Sequence, residues 1–273
     1  MDLWITETNE GVLRCGLKVE KTLFRDRSQY QEILIVQTNA FGRVLLLDGV
    51  FQTTEGDEFF YHEMIIHVPL CAHPDPKRIL IIGGGDGGCV REALKHQSLE
   101  KIVHVEIDEK VVEACLTWLT LHNPDPKNAK VELHIDDGIK FLKDTKEKFD
   151  IVIVDSTDPV GPAVGLFEYD FFKSIYDALT DDGIMAAQSA SPFMQKRIIR
   201  KVHDSLNKIF PVVKLYLSPM PTYPTGLWSY TIASKRFDPS KPVRNLEAQT
   251  KHYNVDIHQS SFVLPNFVRD IFN

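Results

Sequence analysis

Cysteine is scarce in the 273-residue chain and unclustered: Cys15, Cys71, Cys89 and Cys115 form no C-x-x-C pair. That spacing argues against a thiolate zinc site or a thioredoxin-type motif, and predicts reduced, mostly buried thiols of a cytoplasmic protein. The ten histidines show neither H-E-x-x-H nor H-x-x-x-H spacing, so no metal is expected. No apolar run reaches the roughly 18 residues of a transmembrane helix. The opening Met1-Asp2-Leu3-Trp4-Ile5-Thr6-Glu7 lacks the basic and apolar regions of a signal peptide, so none is expected. Repeats and low-complexity tracts are missing too. Basic residues are outnumbered, 31 Lys and Arg against 38 Asp and Glu, for a net charge of −7. Such a chain has no electrostatic footprint for nucleic acid or an anionic membrane, and it suits a cationic small substrate. What is present, 43% hydrophobic and 25% charged residues, is ordinary for a globular enzyme and sufficient for a full core.

The first 56 residues carry β patterning. The runs Val12–Val19, Glu32–Gln37 and Arg43–Leu47 are rich in aliphatic residues, and Asp48-Gly49 turns the last of them into Val50–Thr53. Asp-Gly between two such runs is a strong hairpin signal. Residues 1–56 therefore read as a small antiparallel β-domain, and residues 57–273 as a larger α/β domain. Glu58–Val68 has helical spacing and is expected to stop before Pro69. Strands are then expected over Arg78–Ile82, Lys101–Ile107, Val131–Ile135, Phe149–Val154 and Gly183–Gln188. Helices alternate with them over Gly88–His96, Glu109–Thr120, Gly138–Asp144, Tyr169–Leu179 and Pro192–Ile209. This alternation predicts an α/β, doubly wound parallel sheet covered on both faces. Val212–Leu217 and Ser229–Ser234 have no helix between them and are expected to close it as an antiparallel edge.

In such sheets ligands bind outside the carboxyl ends of the strands, where strand order reverses. The first strand runs into Gly83-Gly84-Gly85-Asp86-Gly87-Gly88 and the second ends in Glu106-Ile107-Asp108. The third runs into Asp136-Asp137-Gly138, and the fourth into Asp155-Ser156-Thr157-Asp158-Pro159. Turns favour Asp on their own account, and Asp137 suits a helix N-cap. Four strands in register delivering acids to one rim exceed turn chemistry. Gly83, Gly85 and Gly88 satisfy G-x-G-x-x-G, a weak signal alone. A pyrophosphate there would meet Asp86 and no Lys or Arg within the loop, so the loop suits a cationic group instead. Glu106 stands about 20 residues on, where an acid takes ribose hydroxyls, and Asp137-Gly138 suits the adenine amine. The pattern fits a nucleoside bearing a positive charge, a sulfonium such as S-adenosylmethionine or a relative. Asp155 and Asp86 are expected to face each other across the switch point, where two carboxylates bind an amine and take its proton. Pro159–Gly165 reads as a lid loop.

With these segments in view, the sequence resembles the polyamine aminopropyltransferases, bacterial spermidine synthases above all. The resemblance covers nearly the whole chain. It includes Tyr30-Gln31, Leu47-Asp48-Gly49-Val50, Asp57-Glu58-Phe59-Phe60-Tyr61-His62-Glu63-Met64 and Pro221-Thr222-Tyr223-Pro224-Thr225-Gly226. It implies an N-terminal β-domain on a Rossmann-like, methyltransferase-type domain, assembled as a homodimer or homotetramer. It implies aminopropyl transfer from decarboxylated S-adenosylmethionine to putrescine, giving spermidine and 5′-methylthioadenosine, with no metal or other cofactor. Carried over by position, Asp155 is the general base. Gln31, Glu106, Asp137, Gly138 and Pro162 line the methylthioadenosine part. His62, Asp86, Asp155, Ser156, Thr157 and Asp158 line the polyamine, with Tyr61, Gln188 and Tyr223 as further wall residues. His62 falls where some relatives carry Gln.

Two rivals remain at this level. An N-methyltransferase acting on a diamine would share the fold and the acidic rim, but the carboxylate of full S-adenosylmethionine would be repelled near Asp86. A nicotinamide-binding module is opposed by Asp86 and by the missing basic phosphate contacts.

Overall fold

A computed structural model describes residues 2–121, 128–157 and 165–273. The β-patterned N-terminus forms the strands β1 (Leu3–Asn9), β2 (Leu13–Arg27), β3 (Glu32–Thr38), β4 (Gly42–Leu47) and β5 (Val50–Thr54). They pair antiparallel in sequence order. Period-two alternation splits β3 and β4 between two apolar clusters. Val36, Val44 and Leu46 join Val19 and Phe51 on one face of the sheet. Ile33, Ile35, Leu45 and Leu47 turn the other way, onto Val111, Ala114, Cys115 and Leu119 of the larger domain. The strand β1 is an addition to the four runs legible in the sequence.

The larger domain starts with helix α1 (Phe59–Ala72), then β6 (Arg78–Gly83), α2 (Gly88–Leu94), β7 (Lys101–Glu106), α3 (Glu109–Trp118), β8 (Val131–Ile135), α4 (Gly138–Asp144) and β9 (Phe149–Asp155). It continues through α5 (Tyr169–Ala178), β10 (Leu179–Gln188), α6 (Lys196–Asn207), β11 (Val212–Pro219), β12 (Leu227–Ser234), α7 (Val255–Ser261) and α8 (Asn266–Arg269). The sheet order is β11-β12-β10-β9-β6-β7-β8. Its centre is buried on both faces, as its apolar strands require. Ile79, Ile81, Ile151 and Ile153 face α1 and α2, while Leu80, Ile82, Val152 and Val154 face Phe171, Phe172 and Ile175 of α5. The fold is thus a small antiparallel β-domain followed by a mixed, Rossmann-like α/β sheet.

Two local expectations are corrected, and a third holds. Helix α1 does not stop at Val68 but runs through Pro69 to Ala72. An interior proline costs about 3 kcal/mol, and burying Leu70 alone returns about 1.5–3 kcal/mol; Leu70, Cys71 and Ala72 are all at most 1% exposed. The His73 N–H closes the helix on the Pro69 carbonyl. Helix α6 starts at Lys196 rather than Pro192. Ala190, with φ of 70°, reverses the chain first, and the Ser191 N–H donates to Gln195 Oε1 at 3.2 Å. The expected antiparallel edge is present, formed by β11 and β12. The chain goes out to the edge as β11 and returns as β12 between β11 and β10, so β12 alone opposes the parallel strands.

The tail after β12 supplies α7 and α8, which the sequence reading left unassigned. Val268 and Ile271 seal Ile199 and Leu215. Glu63 of α1 accepts the backbone N–H groups of Lys251, His252 and Tyr253, each at 2.8 Å.

Candidate active site

Strand order reverses between β6 and β9, since the chain leaves the β6-β7-β8 side and resumes on the other flank of β6. Gly83 pairs with Asp155 across this switch point, and the Gly84 N–H donates to the Asp155 carbonyl at 2.8 Å. Only glycine fits at residue 83. Its φ is +81°, and a Cβ there would lie 2.1 Å from the Asp155 carbonyl oxygen. Close approach of the two chains brings the glycine loop and the β9 end into one cluster, as the sequence predicted.

The cluster's centre is the Asp155 carboxylate. The Tyr61 hydroxyl donates to Oδ1 at 2.6 Å, and the Cys89 thiol to Oδ2 at 3.1 Å. Burial raises its proton affinity, and so does the neighbouring Asp86 charge; His62, Tyr61 and Cys89 pull the other way without cancelling them. Asp86 is itself buried, with Oδ1 accepting the Gly88 N–H at 2.8 Å and Oδ2 3.4 Å from His62 Nε2. Burial pushes its carboxyl up, but the His62 charge, the hydrogen bonds and Arg91 hold it below the usual carboxylate range.

His62 is 2% exposed and held on both sides. Nδ1 meets Glu58 Oε2 at 2.7 Å, one helical turn earlier, and Nε2 meets Asp86. Burial favours the neutral ring, but Asp86 and Glu58 outweigh it and hold His62 as an imidazolium. Arg91 Nη2 in turn donates to Glu58 Oε2 at 2.7 Å. The site is a row of alternating charges, Arg91, Glu58, His62 and Asp86, ending beside Asp155. Gly88 leaves the room for it, since a Cβ there would lie 2.3 Å from the imidazole.

Three neighbours frame this cluster. Gln188 Nε2 donates to the Ser156 carbonyl at 3.0 Å, and its Oε1 accepts the Ala190 N–H, bracing the chain after β9. Tyr223 lies with its ring centroid 6.1 Å from that of Tyr61, and its hydroxyl donates to the Gln52 carbonyl of β5. Ser156 Oγ is buried and has no hydrogen-bond partner among the described residues. Thr157 is half-buried, and Asp158 and Pro162, with all but Gly165 of the expected lid, fall outside the described residues.

The remaining acids line the rim over β7 and β8. Glu106 is 8% exposed, its Oε1 accepting the Asp108 N–H at 2.9 Å. Burial pushes its carboxyl up to about 7. Gln31 reaches this rim from the N-terminal sheet through Asp108 Oδ2, which it meets at 2.9 Å beside the Ser28 hydroxyl at 2.6 Å. Asp137 is the N-cap of α4, its Oδ1 accepting the Ile139 N–H at 2.7 Å. Gly138 is buried beneath it, tight against Ile82. Capping occupies one Asp137 oxygen. Asp137→Ala should therefore cost about 0.5–2 kcal/mol of stability, read as a lower Tm. Asp137→Ser should restore the cap and the Tm.

Cys89, Glu58, Arg91 and Asp108 belong to the site and were not singled out from the sequence. Glu58 had a signal, four residues before His62 on a helix.

Among the described residues, two groups of side chains bring metal-ligand atoms within 4.8 Å of one another. In the first, His62, Cys89 and Asp155, both ring nitrogens carry protons and burial keeps the thiol protonated, so the atoms serve as hydrogen-bond donors and acceptor. In the second, His73, Asp150 and Asp182, His73 Nδ1 accepts the Asp75 N–H at 3.2 Å. The neutral ring then carries its proton on Nε2, 3.6 Å from Asp182, and presents no lone pair there.

A model of the spermine/spermidine synthase domain matches residues 58–245, and one of the spermidine synthase tetramerisation domain matches residues 3–55. A polyamine aminopropyltransferase of Thermoanaerobacter sp. (strain X514) is 50% identical, covering 100% of this chain and 99% of the relative. One of Caldicellulosiruptor saccharolyticus is 46% identical, covering 99% and 98%. Among solved structures, a spermidine synthase in complex with the transition state analogue AdoDATO superposes with a TM-score of 0.95 at 40% identity, covering 98% of this chain and 94% of that one. Spermidine synthase from Thermotoga maritima gives 0.92 at 38%, covering 98% and 93%.

Proposed function

The chain belongs to the spermine/spermidine synthase family, and from that premise we propose that it transfers the aminopropyl group of decarboxylated S-adenosylmethionine to putrescine, with Asp155 as general base. The observation that carries this reading is the Asp86–Asp155 pair at the switch point, one carboxyl held ionised beside an imidazolium and the other with raised proton affinity. An attacking amine is delivered mostly as an ammonium. It must lose a proton before its lone pair forms the new N–C bond. The C–S bond breaks as the N–C bond forms, its electron pair returns to sulfur, and a neutral thioether, 5′-methylthioadenosine, leaves beside spermidine. A carboxylate of raised proton affinity takes the amine proton more readily than an ordinary Asp, and Asp86 holds a cation by a charge-assisted hydrogen bond. Positioning supplies much of the remaining acceleration.

In the same reading Gln31, Glu106, Asp137, Gly138 and Pro162 hold the nucleoside, and His62, Asp86 and the stretch from Asp155 to Asp158 hold the polyamine. Tyr61, Gln188 and Tyr223 complete the wall. The enzyme needs no metal or other cofactor in this chemistry, and the decarboxylated donor is a co-substrate. Residues 1–56 form one domain and residues 57–273 the other, in a cytoplasmic homodimer or homotetramer. The tetramerisation-domain match over residues 3–55 supports assembly through the N-terminal sheet.

Mass spectrometry after incubation with decarboxylated S-adenosylmethionine and a panel of diamines tests the reaction. Spermidine with methylthioadenosine is expected from putrescine; a methylated amine with full S-adenosylmethionine would replace this reading with methyl transfer.

Glu106 adds a pH dependence. With its carboxyl at about 7, the group loses the charge that accepts ribose hydroxyls as pH falls through neutrality. Donor affinity should weaken by about tenfold per pH unit below that point, and Glu106→Gln should flatten the profile. Titration calorimetry between pH 5.5 and 8.5, roughly the range in which a group near 7 titrates, reads both; a flat wild-type profile would separate Glu106 from the ribose.

A further inference from the structure

Cys89 is the second residue of α2 and has no exposed surface. Its sulfur lies 3.1 Å from Asp155 Oδ2, opposite the Tyr61 hydroxyl on Oδ1. A carboxylate turns easily about its last side-chain torsion. One donor on each oxygen fixes its plane.

We infer that Cys89 is a positioning residue for the base: its S–H orients the Asp155 carboxylate and favours the ionised form that receives the amine proton. This rests on Asp155 being the base of the proposed reaction. Burial and the Asp155 charge keep the thiol protonated, so it remains a donor at every working pH. Other groups facing Asp155 do not replace it. Tyr61 on α1 already bonds Oδ1, and both nitrogens of His62 are engaged by Glu58 and Asp86. Asp86 in the glycine loop and Glu106 on β7 oppose ionisation, and Tyr230 on β12 is a neutral phenol held well above its ordinary range by burial.

Cys89→Val keeps the bulk and removes the donor. The acid limb of kcat/KM for the amine should move up by about half to one pH unit, the size of one weak hydrogen bond to a charged group. Activity should fall about three- to tenfold below the limb and converge with wild type above it. Cys89→Ser, which restores a donor, should return the limb towards wild type, and it carries the test if the valine variant does not fold. The S–H infrared stretch gives a readout without turnover. The band lost in Cys89→Val should sit at lower wavenumber than an unbonded thiol and rise in Asp155→Asn. An unmoved acid limb, or a loss equal at every pH with a lower Tm, overturns the positioning role. A band indifferent to Asp155→Asn overturns the contact. If wild type transferred no aminopropyl group, the reaction would fall, and the infrared band would still decide whether Cys89 serves Asp155.

Discussion

Asp155→Asn should lose kcat by roughly 10²–10⁴-fold, the usual size of a general-base contribution, while the fold and most of the donor affinity survive. The substitution is nearly isosteric. Asparagine Oδ1 can still accept the Tyr61 hydroxyl, now at 2.6 Å from Asp155 Oδ1, and the backbone pairing of Gly84 with residue 155 does not involve the side chain. Glu106, Asp108 and Asp137 hold the other half of the rim and keep their own partners. What is lost is the proton acceptor. Asparagine cannot take a proton from an ammonium, so the amine must surrender it to water before attack. Raising the pH supplies more free amine, and the variant's rate should climb with pH beyond the plateau of the wild type. Steady-state kinetics across pH, with donor affinity from calorimetry, check the split. Turnover within threefold of wild type at neutral pH would remove Asp155 from the base role, since about threefold is far below the contribution of a general base.

Much of this arrangement was legible because it follows from strand ends. Apolar runs such as Ile79–Ile82 and Ile151–Val154 mark buried parallel strands, and the residue after each is forced onto one rim. That reasoning brings Asp86, Glu106, Asp137 and Asp155 together without knowledge of any distance. It fails where a partner comes from far along the chain. Gln31 and Ser28 meet Asp108 across 77 and 80 residues, and Tyr61 meets Asp155 across 94. The protonation of His62 was undecidable for the same reason. Glu58, four residues away, is readable on a helix, but Asp86 arrives only when the loop before α2 packs against α1. Pro69 shows the opposite failure: a sound local rule, that helices end before proline, is overridden by burial of the residues beyond it. Cys89 was read as one of four reduced, mostly buried thiols, and its burial is as expected. Its role depends on which carboxylate it is buried against, and composition carries no trace of that.

Asp86→Asn should weaken decarboxylated S-adenosylmethionine by about 2–5 kcal/mol, the cost of truncating one partner of a buried charge pair, and leave full S-adenosylmethionine unchanged or improved. In the proposed reading, the ammonium that ends the tail of the decarboxylated donor gains a charge-assisted bond from Asp86. Full S-adenosylmethionine adds a carboxylate, which meets like charge in the same place. Wild type should therefore prefer the decarboxylated donor, and the variant should narrow the preference from both sides. His62 complicates the size of the effect but not its direction. Asparagine can keep the Gly88 N–H on Oδ1, but its amide N–H then faces His62 Nε2, at the position where Asp86 Oδ2 now lies 3.4 Å away. Two donors cannot share that contact, so His62 loses one of the charges that hold its proton and shifts towards the neutral ring. Removing Asp86 thus deletes one negative charge and weakens one positive charge, which places the loss at the lower end of the range. A second consequence separates charge from shape. Asp86 raises the proton affinity of Asp155 by like-charge repulsion more than His62 lowers it, so even with His62 partly discharged the variant should move the acid limb of kcat/KM to lower pH, opposite in sign to the shift expected for Cys89→Val. Calorimetry with both donors and the pH profile together read the two effects. An equal loss for both donors with an unmoved acid limb would reduce Asp86 to a support of the glycine loop and restore methyl transfer as the stronger reading.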